Sequence, residues 1–88
     1  MPYIEQKHRE KFNGLIDEVY VMLDETNWEG ELNYIFSMLI KNVLDNNKRM
    51  NYKNINAAIG VLECCKQELY RLTAAPYEDI KININGGL

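Results

Sequence analysis

The stretch Leu32-Asn33-Tyr34-Ile35-Phe36-Ser37-Met38-Leu39-Ile40-Lys41-Asn42-Val43 decides the fold. Leu32, Ile35, Phe36, Leu39, Ile40 and Val43 recur at spacings of three and four, and at about 100° per residue they fall on one face of an α-helix. Trp28-Glu29-Gly30-Glu31 opens this helix with carboxylates in its first turn, where they complement the dipole. Asp45-Asn46-Asn47-Lys48 marks a polar turn after it. The helix is expected over about 29–46.

The same periodicity extends outward on both sides. Before it, Phe12, Leu15, Ile16, Val19, Met22 and Leu23 predict a helix over about 9–25, stopped by Thr26-Asn27. After it, Ile55, Ala58, Ile59, Leu62, Cys65, Leu69 and Leu72 predict a helix over about 52–75, interrupted by Pro76. Residues 76–88 read two ways. Pro76 with Glu78 and Asp79 suits the first turn of a helix, whereas Ile80-Lys81-Ile82-Asn83-Ile84 alternates like a strand; a short helix or an extended arm is expected. The expectation is one all-α domain over residues 1–88, a small three-helix bundle with a C-terminal helix or arm.

A chain of 88 residues buries only roughly 60–65% of the surface its unfolded form exposes, so a monomer is marginal and homo-oligomerisation, dimeric or higher, is expected. A net charge of −3 argues against general nucleic-acid binding, which needs a clustered basic surface. The polar start, Met1-Pro2-Tyr3-Ile4-Glu5-Gln6-Lys7-His8-Arg9, is unlike a signal peptide, and no apolar run approaches the roughly 20 residues needed to span a bilayer. A cytoplasmic protein without a membrane partner is expected. Cys64 and Cys65 are adjacent on a helix and read as reduced thiols; with one distant His8 they lack the number and spacing of zinc ligands, so no metal is expected.

Once each stripe is assigned to a core, Tyr20 and Val21, Tyr34 and Met38, and Tyr70 remain on faces that should be wet. Single exposed hydrophobes are ordinary, but together they suggest a partner surface. On the third helix Asn56, Gly60, Glu63, Gln67, Tyr70, Arg71 and Ala74 lie within about 100° of arc opposite the stripe. Such a face is either a solvated ladder or an interface. Gly60 costs about 1 kcal/mol relative to Ala in a helix interior, which a close approach by another helix or ligand would explain. Gly60, Tyr20 and Met38 are the expected interface residues.

Catalysis has thin support. His8 stands alone, Cys64 beside Cys65 fits a buried inert thiol, and the pairs Asp17-Glu18, Asp24-Glu25 and Glu78-Asp79 resemble helix-end charges rather than an acid and base. Gly86-Gly87 has no helix after it and makes no phosphate loop. A non-enzymatic protein without a cofactor is expected.

The segments Glu29-Gly30-Glu31-Leu32-Asn33-Tyr34, Asn51-Tyr52 with Ile55-Asn56, Gly60-Val61-Leu62-Glu63-Cys64, Glu68-Leu69-Tyr70-Arg71, Pro76-Tyr77-Glu78-Asp79 and Asn85-Gly86 resemble a family of small uncharacterised proteins from tailed phages and bacteria. The resemblance spans nearly the whole chain and is most specific at Gly-Glu-Leu-Asn-Tyr and Pro-Tyr-Glu-Asp. It implies a phage-type setting in the host cytosol and carries over no catalytic residue. Phages encode many small proteins that block host machinery or sequester the nucleotide signals of host defence, the latter as homo-oligomers with pockets at subunit boundaries. By that analogy Tyr70, Arg71 and Tyr77, with Tyr34 and Asn56, are expected to line a site for a nucleotide-like small molecule, aromatic faces stacking on a base and Arg71 meeting phosphate. The alternative is a protein-binding inhibitor or adaptor that engages a bacterial protein through Tyr34, Met38 and Tyr70.

Overall fold

The computed structural model describes residues 4–87. A short 3-10 turn, Gln6–His8, leads into α1, Glu10–Met22. Then come α2, Trp28–Asp45, a 3-10 turn over Asn47–Arg49, and α3, Tyr52–Leu69. A π-helical segment, Tyr70–Ala74, runs directly into α4, Ala75–Asn85. The described residues include no strand, so the protein is all-α.

Local chemistry places each boundary. Leu23 turns extended and ends α1. Asp24 then accepts hydrogen bonds at Oδ1 from the Thr26 backbone N–H at 2.7 Å and the Thr26 hydroxyl at 2.8 Å, a side-chain turn that competes with helix continuation. The Glu31 carboxylate, from the first turn of α2, accepts the Asp24 N–H at 2.7 Å. Two carboxylates therefore fix the connection between α1 and α2. Asn51 caps α3 by accepting the Asn54 N–H at 2.8 Å, and the Asn54 side chain donates to the Arg49 carbonyl at 2.8 Å. At the far end Gly86 takes φ 83° and donates to the Ile82 carbonyl at 2.7 Å, the left-handed stop that glycine permits.

Contacts within the chain separate into two compact units, Met1–Leu39 and Ile40–Leu88, with the boundary inside the unbroken α2. Among the described residues the apolar stripes stay at least partly open. No described residue is buried: Leu15 is 57% exposed, Leu39 60% and Ile59 59%. The helices and their stripes are present, but each unit holds little more than two helical runs. A helix with one neighbour keeps much of its apolar arc open.

The C-terminal segment is helical, and Pro76 does not break the run. Proline removes one N–H and its ring crowds the carbonyl four residues back, which normally kinks or ends a helix. Here the ladder widens just before it, where the Ala75 N–H donates to the Tyr70 carbonyl five residues back. Pro76 then occupies the first turn of α4, followed by Glu78, where a missing donor costs nothing. The alternation of Ile80, Ile82 and Ile84 is overridden by this helical start, and Tyr77, Ile80 and Ile84 instead follow helical spacing.

Candidate functional site

The π turn resets which of the expected site residues face one another: it brings Tyr70 toward Glu78 and turns Tyr77, which would share the face of Tyr70 in an unbroken α-helix, away from it. In an unbroken α-helix residues 70 and 78 would differ by about 80° around the axis; one π turn holds an extra residue and rotates the succeeding helix back by about 100°. Tyr70 and Glu78 thereby come onto nearly one face. The Tyr70 hydroxyl donates to the Glu78 carboxylate, at 3.2 Å from one oxygen and 3.0 Å from the other. That hydrogen bond, and the carboxylate charge behind it, raise the Tyr70 phenol above its ordinary value.

Arg71 lies beside it and is paired backward: its guanidinium donates to Glu68 at 2.8 Å. The same bond lowers the Glu68 carboxyl below the ordinary glutamate value. One turn earlier Glu63 is also lowered, by the Gln67 amide donating at 3.3 Å and by Lys66 at 3.3 Å. Beyond Pro76 the Lys81 ammonium stands 5.6 Å from the Tyr77 ring centroid. The segment from 68 to 81 thus carries aromatic rings, a guanidinium, an ammonium and carboxylates along one exposed helical run. To recognise an anion through Arg71 it must exchange the Glu68 carboxylate for it.

The other expected residues are placed apart from this cluster. Asn56 is on the first turns of α3, about 21 Å along the axis from residue 70. A single small molecule cannot touch both on one chain. Tyr34 belongs to the first unit, where with Val19, Met22, Leu23 and Ile35 it lines an open apolar groove of ≈ 540 Å³. Tyr20 and Met38 are exposed in that unit too, and Met38 lies one turn beyond Tyr34 on α2. Among the described residues no atom lies within 4 Å of where a Cβ of Gly60 would stand. Cys64 is half-buried and Cys65 exposed, both free thiols.

Sequence reasoning missed Glu68 and Glu78 as partners of Arg71 and Tyr70, and the Asp24–Glu31 latch between α1 and α2. The first pair of residues had an available signal in the three-residue spacing of Glu68 and Arg71. Asp24-Glu25-Thr26 carried another, since Asp two residues before Thr is a side-chain turn pattern. Glu78 had none, because its face is fixed only once the π turn is known. Among the described residues no group of three or more His, Cys, Asp or Glu could hold a metal ion, and no helix is long and apolar enough to cross a membrane.

A family model described as Domain of unknown function (DUF6899) matches residues 1–88, and the chain belongs to that family. No curated protein and no solved structure matches the chain.

Proposed function

We propose that this member of the DUF6899 family is a non-enzymatic binding protein that engages another protein, in a phage-type setting one from the bacterial host cytoplasm, as an inhibitor or adaptor. The observation that carries this reading is the face that Tyr34 and Met38 form on α2, one turn apart and 66% and 36% exposed. Tyr and Met are enriched at protein interfaces, where their apolar area is covered at modest entropic cost. The apolar groove lined by Tyr34 continues that surface within the first unit. The test is a photo-crosslinking amino acid in place of Met38, identification of the bacterial protein it captures, and titration of that purified protein. Tyr34→Ala is expected to weaken the complex about tenfold or more. Equal affinity for wild type and Tyr34→Ala would remove this face from the function.

A second reading draws on the exposed aromatic and cationic residues on either side of the π turn: capture of a phosphorylated, nucleotide-like molecule by Tyr70, Arg71 and Tyr77, with Tyr34 and Asn56 supplied by a neighbouring subunit. Calorimetry against cyclic dinucleotides, cyclic ADP-ribose isomers and common nucleotides tests it. Arg71→Ala should weaken binding about ten- to a hundredfold. Absence of heat across that panel would leave the protein-partner reading alone.

A further inference from the structure

Whatever else this chain recognises, the apolar stripe of α2 is only partly covered: Leu32, Ile35 and Ile40 are half-buried, and Phe36, Leu39 and Val43 are exposed. On α2 the apolar stripe is open at Leu39, 60% exposed, and at Val43, 52% exposed. A stable dimer needs roughly 800 Å² from each partner. Most helical stability in proteins comes from packing of the amphipathic face, so covering the open part of the α2 stripe would stabilise the fold.

We infer that two copies of this chain pair through α2, antiparallel about a two-fold axis near its middle. This rests on the reading of exposed apolar helix faces as recognition surfaces, and it names a second copy as the occupant of one of them. The α2 stripe is self-complementary on reversal. A two-fold axis between residues 37 and 38 sets Leu32 against Val43 of the partner subunit, Ile35 against Ile40 of the partner subunit and Phe36 against Leu39 of the partner subunit. Every apolar position meets an apolar position. Phe36, Leu39 and Val43 are 46%, 60% and 52% exposed, so these side chains are accessible in the single chain.

Charge selects the same orientation. Asp24, Glu25, Glu29 and Glu31 cluster at the N-terminal end of α2 with no cation among them; Lys48 and Arg49 follow its C-terminal end, where Lys41 and Asp45 pair with one another at 2.8 Å. Antiparallel pairing brings the acidic end of each copy to the basic end of the other and opposes the two helix dipoles. Parallel pairing would set acid against acid. The isologous arrangement also closes, giving a dimer rather than a filament.

Sedimentation of the full chain tests the inference, with helicity followed by circular dichroism. Wild type should be dimeric at micromolar concentration, and Leu39→Glu should weaken the dimer at least about a hundredfold. Should Leu39→Glu unfold, surface charge reversals decide. Glu25→Lys with Glu29→Lys, and separately Lys48→Glu with Arg49→Glu, should each weaken the dimer severalfold, and the four changes together should restore it. A wild-type monomer, a dimer indifferent to Leu39→Glu while folded, or charge reversals that fail to compensate would each overturn the pairing. Capture through Met38 is read separately, so a monomer that still captures its partner sinks the dimer and spares the protein-partner reading.

Discussion

The Tyr70 hydroxyl reaches the Glu78 carboxylate eight residues ahead, across a π turn and a proline, at 3.0 Å. Eight residues of α-helix rise about 12 Å, so only two long side chains brought onto one face can close that gap. The bond is thus a reporter of the π turn itself.

Tyr70 should ionise above the ordinary tyrosine range. Its folded value lies above its unfolded one, so the stabilisation from this bond is full below the ordinary tyrosine range and is lost as pH rises through the folded value. Ultraviolet titration of the phenolate band resolves this, with Tyr70→Phe identifying the late component. Glu78→Gln, which keeps the shape and removes the charge, should bring Tyr70 down toward its ordinary value. A late component that survives both changes would place the interaction elsewhere.

Pro76→Ala should convert the π turn to ordinary α geometry, because the alanine N–H can again reach the carbonyl four residues back. Helicity by circular dichroism should rise. In the same variant α4 rotates by about 100° relative to α3, Tyr70 and Glu78 part, and the late tyrosine component disappears. A gain in helicity with the tyrosine titration unchanged would mean that Pro76 does not set the π turn.

The connection from α1 to α2 should loosen in acid. Asp24 is held below its ordinary value by the Thr26 backbone N–H first and the Thr26 hydroxyl second. Its contribution is therefore present above the ordinary aspartate range and fades as pH falls through the lowered folded value. Carboxyl chemical shifts followed from neutral pH downward give that value directly. Asp24→Asn keeps an acceptor for Thr26 and should remove the pH dependence, whereas Asp24→Ala should expose the Thr26 amide to faster hydrogen exchange at every pH.

Gly60→Ala separates the helix from the assembly. The added methyl enters open space among the described residues and should stabilise α3 by about 1 kcal/mol through propensity alone. Gly60→Leu adds bulk at the same point. Thermal unfolding of both variants, beside their sedimentation, shows whether another molecule comes close to Gly60: stabilised and equally associated variants mean that none does.

The helices were legible because their apolar residues recur at helical spacing and their ends carry distinct chemistry, as Asn51 does for α3. The buried core was not legible, since a stripe such as Leu32 to Val43 looks identical whether its own chain or another molecule covers it. Tyr70 and Arg71 were legible as outward-facing residues. Their engagement with Glu78 and Glu68 was not, because in the first case azimuth depends on a one-residue change of helical phase that no local propensity announces.

The side-chain hydrogen bonds that hold the turns, the α3 cap and the π segment join residues no more than eight apart. Interactions of that range close quickly: helical segments of this length relax in about 0.1–1 μs, and a loop of ten residues closes in about 10–100 ns. Nothing in them waits for a distant part of the chain to arrive. Pairing of two copies through α2, as inferred above, would add an encounter between molecules, and that phase of refolding should scale with protein concentration, the kinetic mark of a second-order step.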